Sequence, residues 1–346
     1  MSAEQQLVVL LGAGATRGAL GERNILPPLD RDFIDIARQI KGHGTPKLAS
    51  RVAKDVFDLY GHVSGVGLEQ YFREIEARAE IGMFAKSKNK PKDWKRRQRD
   101  LEELIRRVLI QTTSDLSDQE KATYQNIFRH LEAGDTIITF NYDTVIEESL
   151  PSDFGLWNPK DGYGVPASGI TKDWARNWLV DRNLGSAQKS TCRLLKLHGS
   201  LNWTLYQTNT VRLKPRPYVV STRSGRTRYD KCAILPPGWH KRIEVNPYRQ
   251  LWRKARLKLE SCSSLAIIGY SMPETDLLAR ALLAEASRMR AARKQYLKYL
   301  HVADPSDAVK ERFVSLFAPA LGSKGRVYRY SDITSLSTAW SRGSVR

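Results

Sequence analysis

Five short clusters of glycine and polar residues each follow an apolar run, and their types are those of a site. They are Gly12-Ala13-Gly14-Ala15, Asn141-Tyr142-Asp143, His198-Gly199-Ser200, Gly269-Tyr270-Ser271 and Ala303-Asp304. Gly12 and Gly14 let a backbone bend tightly and approach a ligand, and a helix N-terminus after them offers N–H donors to a diphosphate. The full GxGxxG spacing is missing, because Arg17 intervenes and Gly18 falls one residue late. A tight strand-to-helix turn without ligand accounts for the same residues. At Asn141 and Asp143, two residues apart, an amide can hold a sugar hydroxyl or a water, and a carboxylate can accept from a carboxamide N–H. Either residue could instead cap a helix over 144–150. His198 suits a general base, since imidazole titrates near neutral pH, or a packed core residue. Ser271 could touch phosphate or ribose, and Asp276 could cap the helix that follows. Asp304 could bind ribose hydroxyls or end its strand in a turn.

Metal chemistry has little support. The cysteines Cys192, Cys232 and Cys262 are widely spaced, with no CxxC, and no histidine pair has HxxxH spacing. His43, His62, His130, His240 and His301 lack the context of His198. A zinc centre is not expected. Sparse cysteines suggest a reducing compartment, and a cytoplasmic location is the expectation.

The elements that must position these residues read as a doubly wound α/β fold. The apolar runs Leu7–Leu11, Thr136–Phe140, Leu194–Leu197, Leu265–Gly269 and Leu300–Ala303, with a weaker one at Arg326–Tyr330, are continuous rather than alternating. Such strands are buried on both faces of a mostly parallel sheet, whose ligands lie beyond the strand C-termini. Helical patterns cover Asp30–Lys41, Leu68–Ala79, Trp94–Ile110, Asp118–Glu132, Arg249–Ser261 and Asp276–Lys298. The expectation is one Rossmann-like domain over 1–346. Residues 41–120 form a helical insertion, and the irregular segments 151–190 and 204–248 cap the site. Nothing in the sequence resembles a membrane span or a signal peptide.

The chain has 346 residues, 41% hydrophobic and 27% charged, with a formal net charge of +19. That charge favours a polyanion such as nucleic acid as partner, or describes a solvated surface. Basic residues concentrate in Lys86–Arg99, Arg212–Lys231 and Arg288–Lys298.

The ordered series GAGAT, FNYD, KLHGS, GYSMPETD and ADP resembles the sirtuin-like NAD-binding fold, in particular the divergent sirtuin-like domains of prokaryotic antiphage defence proteins. The resemblance implies that Gly12, Ala13, Gly14 and Ala15 form the phosphate loop. It places Asn141 and Asp143 at the nicotinamide riboside end and makes His198, followed by Gly199, the general base. Ser271 falls at the phosphates and Asp304 at the adenine ribose. Protein-deacylating sirtuins carry two CxxC pairs and a GIPDFR segment, whereas this chain has neither and reads NILPPLDRDF over Asn24–Phe33. The resemblance therefore implies NAD+ as substrate, hydrolysed to ADP-ribose and nicotinamide without zinc. It also implies a homo-oligomer, gated by assembly or by a HerA-type ATPase or Argonaute-like partner. The alternatives are a basic nucleic-acid-binding subunit with a structural nucleotide site, and a deacylase or ADP-ribosyl transferase.

Overall fold

The computed structural model describes residues 6–42, 44–84, 91–150, 156–169, 190–206, 210–214, 219–221, 227–229, 232–235 and 243–343. His43, His240 and much of the first two basic clusters lie outside them. Elements are numbered in chain order.

Six strands build the main sheet: β1 (Leu7–Leu11), β2 (Thr136–Thr139), β4 (Arg193–Lys196), β11 (Ser264–Ile268), β12 (Tyr299–Ala303) and β13 (Arg326–Tyr330). All neighbours are parallel, in the order β13-β12-β11-β1-β2-β4. The fold is the doubly wound α/β class that the continuous apolar runs predict. Leu7 to Leu11 are at most 1% exposed, as a central parallel strand covered on both faces requires. The pattern of β13 reads weaker because this edge strand leaves Arg326 and Arg329 exposed.

The chain winds one way from β1 through β2 to β4. It then returns to the other side of β1 for β11, β12 and β13. The switch point lies between β1 and β11, where doubly wound sheets open a ligand crevice at their C-terminal edge. Helices α1 (Ala13–Ala19), α6 (Asp118–Phe128), α7 (Val145–Ser149) and α11 (Ile333–Ser341) form one packed group. Helices α8 (Tyr248–Ser261), α9 (Leu277–Ala292) and α10 (Asp307–Leu321) form a second. The helical pattern over Asp276–Lys298 stops at Ala292, where Arg293 and a turn lead into β12.

Between β1 and β2 the chain adds α2 (Phe33–Gln39), α3 (Thr45–Tyr60), α4 (Leu68–Phe84) and α5 (Pro91–Thr113). These helices bury a core of their own, with Phe33, Leu48, Val52, Tyr71, Phe72 and Leu104 at its centre. The segments 151–190 and 204–248, which read as irregular, contribute short strands: β3 (Ala167–Ser168) pairs with β7 (Thr210–Leu213), β7 also pairs with β6 (Trp203–Tyr206), and β10 (Ala233–Ile234) pairs with β5 (Gly199–Ser200), just after β4. A separate ribbon joins β8 (Val219–Ser221) and β9 (Thr227–Tyr229). Their strand pattern is hard to see because each is only two to four residues long.

Candidate active site

All five clusters sit at the C-terminal edge of the sheet. The glycine turn follows β1 and meets the turn after β11. A Cβ on Gly12 would lie 2.5 Å from the Gly269 carbonyl oxygen, and one on Gly14 would lie 2.8 Å from it. Gly269 has φ +58°, and its own Cβ would collide with the Ala15 nitrogen. The Gly12 N–H donates to Ile268 O (3.0 Å) and the Gly14 N–H to Gly269 O (2.9 Å). These glycines therefore serve the close crossing of two backbones. Two amides that a phosphate loop would offer are engaged within the protein. Ala13 is exposed and faces out of the turn, while Ala15 is buried in the core.

Asn141 ties the loop after β2 to this turn. Its Nδ2 donates to Gly12 O and to Thr16 Oγ1, each at 3.0 Å, and its backbone N–H donates to Thr139 Oγ1. Thr16 Oγ1 also donates to Asp143 Oδ2 (3.3 Å) and shares a hydrogen bond with Tyr124 OH (3.2 Å). Asp143 Oδ1 accepts the Val145 N–H, so this carboxylate does part of the work of a cap on α7, while Asn141 does none. Burial pushes the Asp143 carboxyl above the usual carboxylate range; the Lys196 charge opposes that shift and Glu147 adds to it.

Beneath Asp143 lies an ion pair that is wholly buried. Lys196, the last residue of β4, is 0% exposed and Glu147 on α7 is 1% exposed. Lys196 Nζ donates to Glu147 Oε1 (2.9 Å) and to the Asp143 carbonyl oxygen. Tyr163 OH also donates to Glu147 Oε1 (3.0 Å), and Asn202 Nδ2 donates to Tyr163 OH (3.3 Å). This chain of groups clamps the turn bearing Asp143 onto the strand that leads to His198.

His198 itself is 5% exposed and sits among aromatic rings. Its ring centroid is 5.1 Å from Phe140 and 6.1 Å from both Tyr142 and Trp252. Trp252, from α8, donates through Nε1 to Leu197 O (3.0 Å), which fixes the indole beside the imidazole. Phe140 continues the row to Tyr270 at 4.6 Å. Gly199 has φ +85°, and any Cβ there would strike the Ala233 carbonyl where β5 meets β10. Its role in the structure is this close pairing.

Ser271 and Asp304 stand further along the edge. Ser271 is exposed, and its carbonyl accepts from Arg312 Nη1 (2.6 Å). Asp276 occupies the N-cap position of α9 without capping it; its Oδ2 accepts from Tyr270 OH (3.1 Å). The neighbouring Thr275 bonds to Glu69 of α4, which brings the helical unit onto the same edge. Asp304 accepts the Ser306 N–H at 2.9 Å in a strand-ending turn. Burial raises its pKa above the ordinary 3.8, with the Ser306 hydrogen bond and the charges of Lys310 and Arg312 pulling the other way. The folded chain thus keeps a proton that the unfolded chain loses. That stabilisation is complete below the unfolded pKa and fades as pH climbs through the folded one. Asp304→Asn, which keeps the acceptor for Ser306, is expected to leave Tm at pH 7 equal or higher and to lessen the fall in Tm between pH 4 and pH 7. A clearly lower Tm at pH 7 would contradict this.

The segment Asn24–Phe33 also joins the edge. Asp32 pairs with Arg17 of α1, and Asp30 Oδ1 accepts the Glu69 N–H that starts α4. Among the described residues, no group of three or more His, Cys, Asp or Glu side chains is placed to hold a metal ion. No described helix is long and apolar enough to cross a membrane.

The fold is a parallel doubly wound α/β domain, and a polar amide, a buried carboxylate and a histidine lie along its C-terminal edge, where domains of this class hold their ligands. The SIR2-like domain family matches residues 135–317, more than half of the sequence, and the chain belongs to that family. Membership supports a Sir2-type, NAD-dependent function in general terms. One solved structure, concerned with the structural basis for the mechanism and regulation of Sir2 enzymes, aligns with 97% of this chain and 90% of its own at 10% identity, with a TM-score of 0.35. No curated protein matches the sequence.

Proposed function

We propose that the chain is an NAD+ glycohydrolase that releases nicotinamide and ADP-ribose, and that it acts as a gated effector in antiviral defence. The observation that carries the reading is the joining of Asn141 to the glycine turn, with Asp143 behind it and His198 in its aromatic pocket on the neighbouring strand. From the strand bearing His198 to the one bearing Asp304 there are four strand spacings, about 19 Å at the usual 4.8 Å. That breadth suits an extended dinucleotide lying across the edge.

The start of α1, with Ala13 outermost, would face the diphosphate, and its dipole would favour the negative charge. Ser271 would meet the phosphates, Asp304 the adenine ribose, and Asp143 the carboxamide. Cleavage breaks the bond between the nicotinamide nitrogen and ribose C1′. The bonding pair leaves with nicotinamide, which departs neutral, and C1′ passes through an oxocarbenium-like state of the kind met in glycoside hydrolysis. Water adds to C1′ and gives its proton to His198, which passes it to solvent. The aromatic rings around His198 keep bulk water away from the cation until the positioned one adds. A deacylase or transferase would need an acceptor site, and none is apparent among the described residues.

Unchecked hydrolysis would empty a cell of NAD+, so activity requires a trigger: assembly into a homo-oligomer, a HerA-type ATPase, an Argonaute-like protein or nucleic acid. The deciding experiment incubates the purified chain with NAD+, alone and with duplex DNA, and measures nicotinamide release beside NAD+ affinity by calorimetry. Release in either condition is the expected result. A gated hydrolase at rest still binds NAD+; a chain that neither releases nicotinamide nor binds NAD+ is not one.

A further inference from the structure

The three basic clusters do not share one fate. On α5, Arg96 bonds to Asp55 and Asp100, Arg97 pairs with Asp55, and Arg106 and Arg107 pair with Glu103. Carboxylates of α3 and α5 thus engage these guanidinium groups, although the basic residues of α5 still outnumber its acids. Arg288 on α9 is tied to Glu285, and Arg290 is 1% exposed, donating to Leu259 O.

Among the described residues, a stripe of exposed charge lies on α8, a helix outside those clusters. It carries five basic residues, Arg249, Arg253, Lys254, Arg256 and Lys258, against one acid, Glu260. Arg249, Arg253 and Arg256 are exposed and spaced four and three apart, so they share one face. The opposite face, with Leu251, Trp252, Ala255 and Leu259, is buried against the sheet. Arg249 and Arg253 have no carboxylate partner among the described residues. Glu260 is 3% exposed in its side chain and lies between Arg256 (3.3 Å) and Arg293 of the α9 C-cap (2.8 Å). It holds two guanidinium groups while cancelling one charge, which carries the stripe from α8 to Arg293 and the exposed Lys294.

We infer that the outer face of α8, extended by Arg293 and Lys294, docks on the phosphate backbone of duplex DNA. Guanidinium groups pair with phosphate oxygens in a planar fork. Duplex DNA offers about one charge per 1.7 Å of axis to such a row. The 14 residues of α8 make a rod of about 21 Å. The B-form major groove, about 12 Å wide, admits a helix, whereas the A-form groove of an RNA duplex is too deep and narrow. No aromatic residue is exposed on α8 to stack a single-stranded base. Contacts of this kind read backbone and not sequence. Trp252 lies on the inner side of the same helix, beside His198, so DNA on α8 stands one helix thickness from the candidate base.

The test measures binding of a fluorescent 20-base-pair DNA duplex by anisotropy across a salt series, for the wild type and two triple variants. One variant carries Arg249→Gln, Arg253→Gln and Arg256→Gln. The other removes the same charge from α3 through Lys47→Gln, Arg51→Gln and Lys54→Gln. Log affinity falls against log salt by about 0.9 per phosphate contact. The α8 variant is expected to lose about 2–3 units of that slope with its Tm and NAD+ affinity retained, while the α3 variant keeps the wild-type slope. Equal losses in both variants would make binding a property of net charge and overturn the assignment to α8. Absence of wild-type binding at low salt, or tighter α8-dependent binding of an RNA duplex or anionic lipid vesicles, would overturn DNA as the partner. DNA binding needs no NAD+ chemistry, so this result stands apart from the outcome for nicotinamide release.

Discussion

Lys196→Met is expected to cost about 3–5 kcal/mol of folding stability, the usual penalty for stranding one member of a buried ion pair. Methionine matches the length of the lysine stem but leaves the Glu147 carboxylate with only Tyr163 OH as a polar partner on Oε1. It also releases the Asp143 carbonyl oxygen. Desolvation of an uncompensated carboxylate, and not the lost attraction, supplies most of the penalty. The double variant Lys196→Met with Glu147→Leu removes both charges and should recover a large part of the loss, since apolar replacements of buried pairs are often close to neutral. Full recovery is not expected, because the Asp143 carbonyl and Tyr163 OH each lose a partner. Chemical denaturation of the three variants gives the cycle. A single variant within about 0.5 kcal/mol of wild type, the scatter of ordinary surface substitutions, would show that the pair does not clamp this turn.

His198→Phe should lower NAD+ hydrolysis by about 10²–10⁴-fold, the range for loss of a general base. Phenylalanine keeps an aromatic ring against Phe140, Tyr142 and Trp252, so the pocket survives while the proton acceptor goes. NAD+ affinity and Tm should stay near wild-type values. Asn141→Ala is a less direct probe. The amide that would hold ribose also bonds to Gly12 O and Thr16 Oγ1, so its removal loosens the glycine turn. A His198→Phe variant that turns over NAD+ at the wild-type rate would remove this residue from the mechanism.

The sheet was readable in the sequence because parallel strands buried on both faces leave unbroken apolar runs. LVVLL and SLAII need no partner to be recognised. The convergence of the five clusters followed from the same rule, since every strand presents its C-terminus to one edge. What the glycine turn contacts did not follow. Its neighbour, Gly269-Tyr270, is some 250 residues away, and only the strand order brings the two together. Lys196 was visible within KLHGS, but a lysine at the end of a strand gives no sign that it is buried until Glu147 is placed opposite it. Tyr124 and Trp252 reach the site from helices whose apolar faces read as ordinary core. The α8 stripe escaped notice because its arginines are spread at helical intervals instead of forming a run.

The strand order also bears on how the chain is made. β1 ends at Leu11, yet one of its two partners, β11, begins only at Ser264 and is translated well after it. At about 5–20 residues per second, a span of some 250 residues takes roughly 12–50 s to synthesise. Throughout that interval Leu7–Leu11 can have a neighbour on one side only, and the turn at Gly12 has nothing to close against. A nascent chain in this state presents an open apolar strand edge, which is a demand on chaperones. It also has no assembled site. A protein proposed to destroy NAD+ is therefore inert until β11 has been translated, and products truncated before it are inert for good.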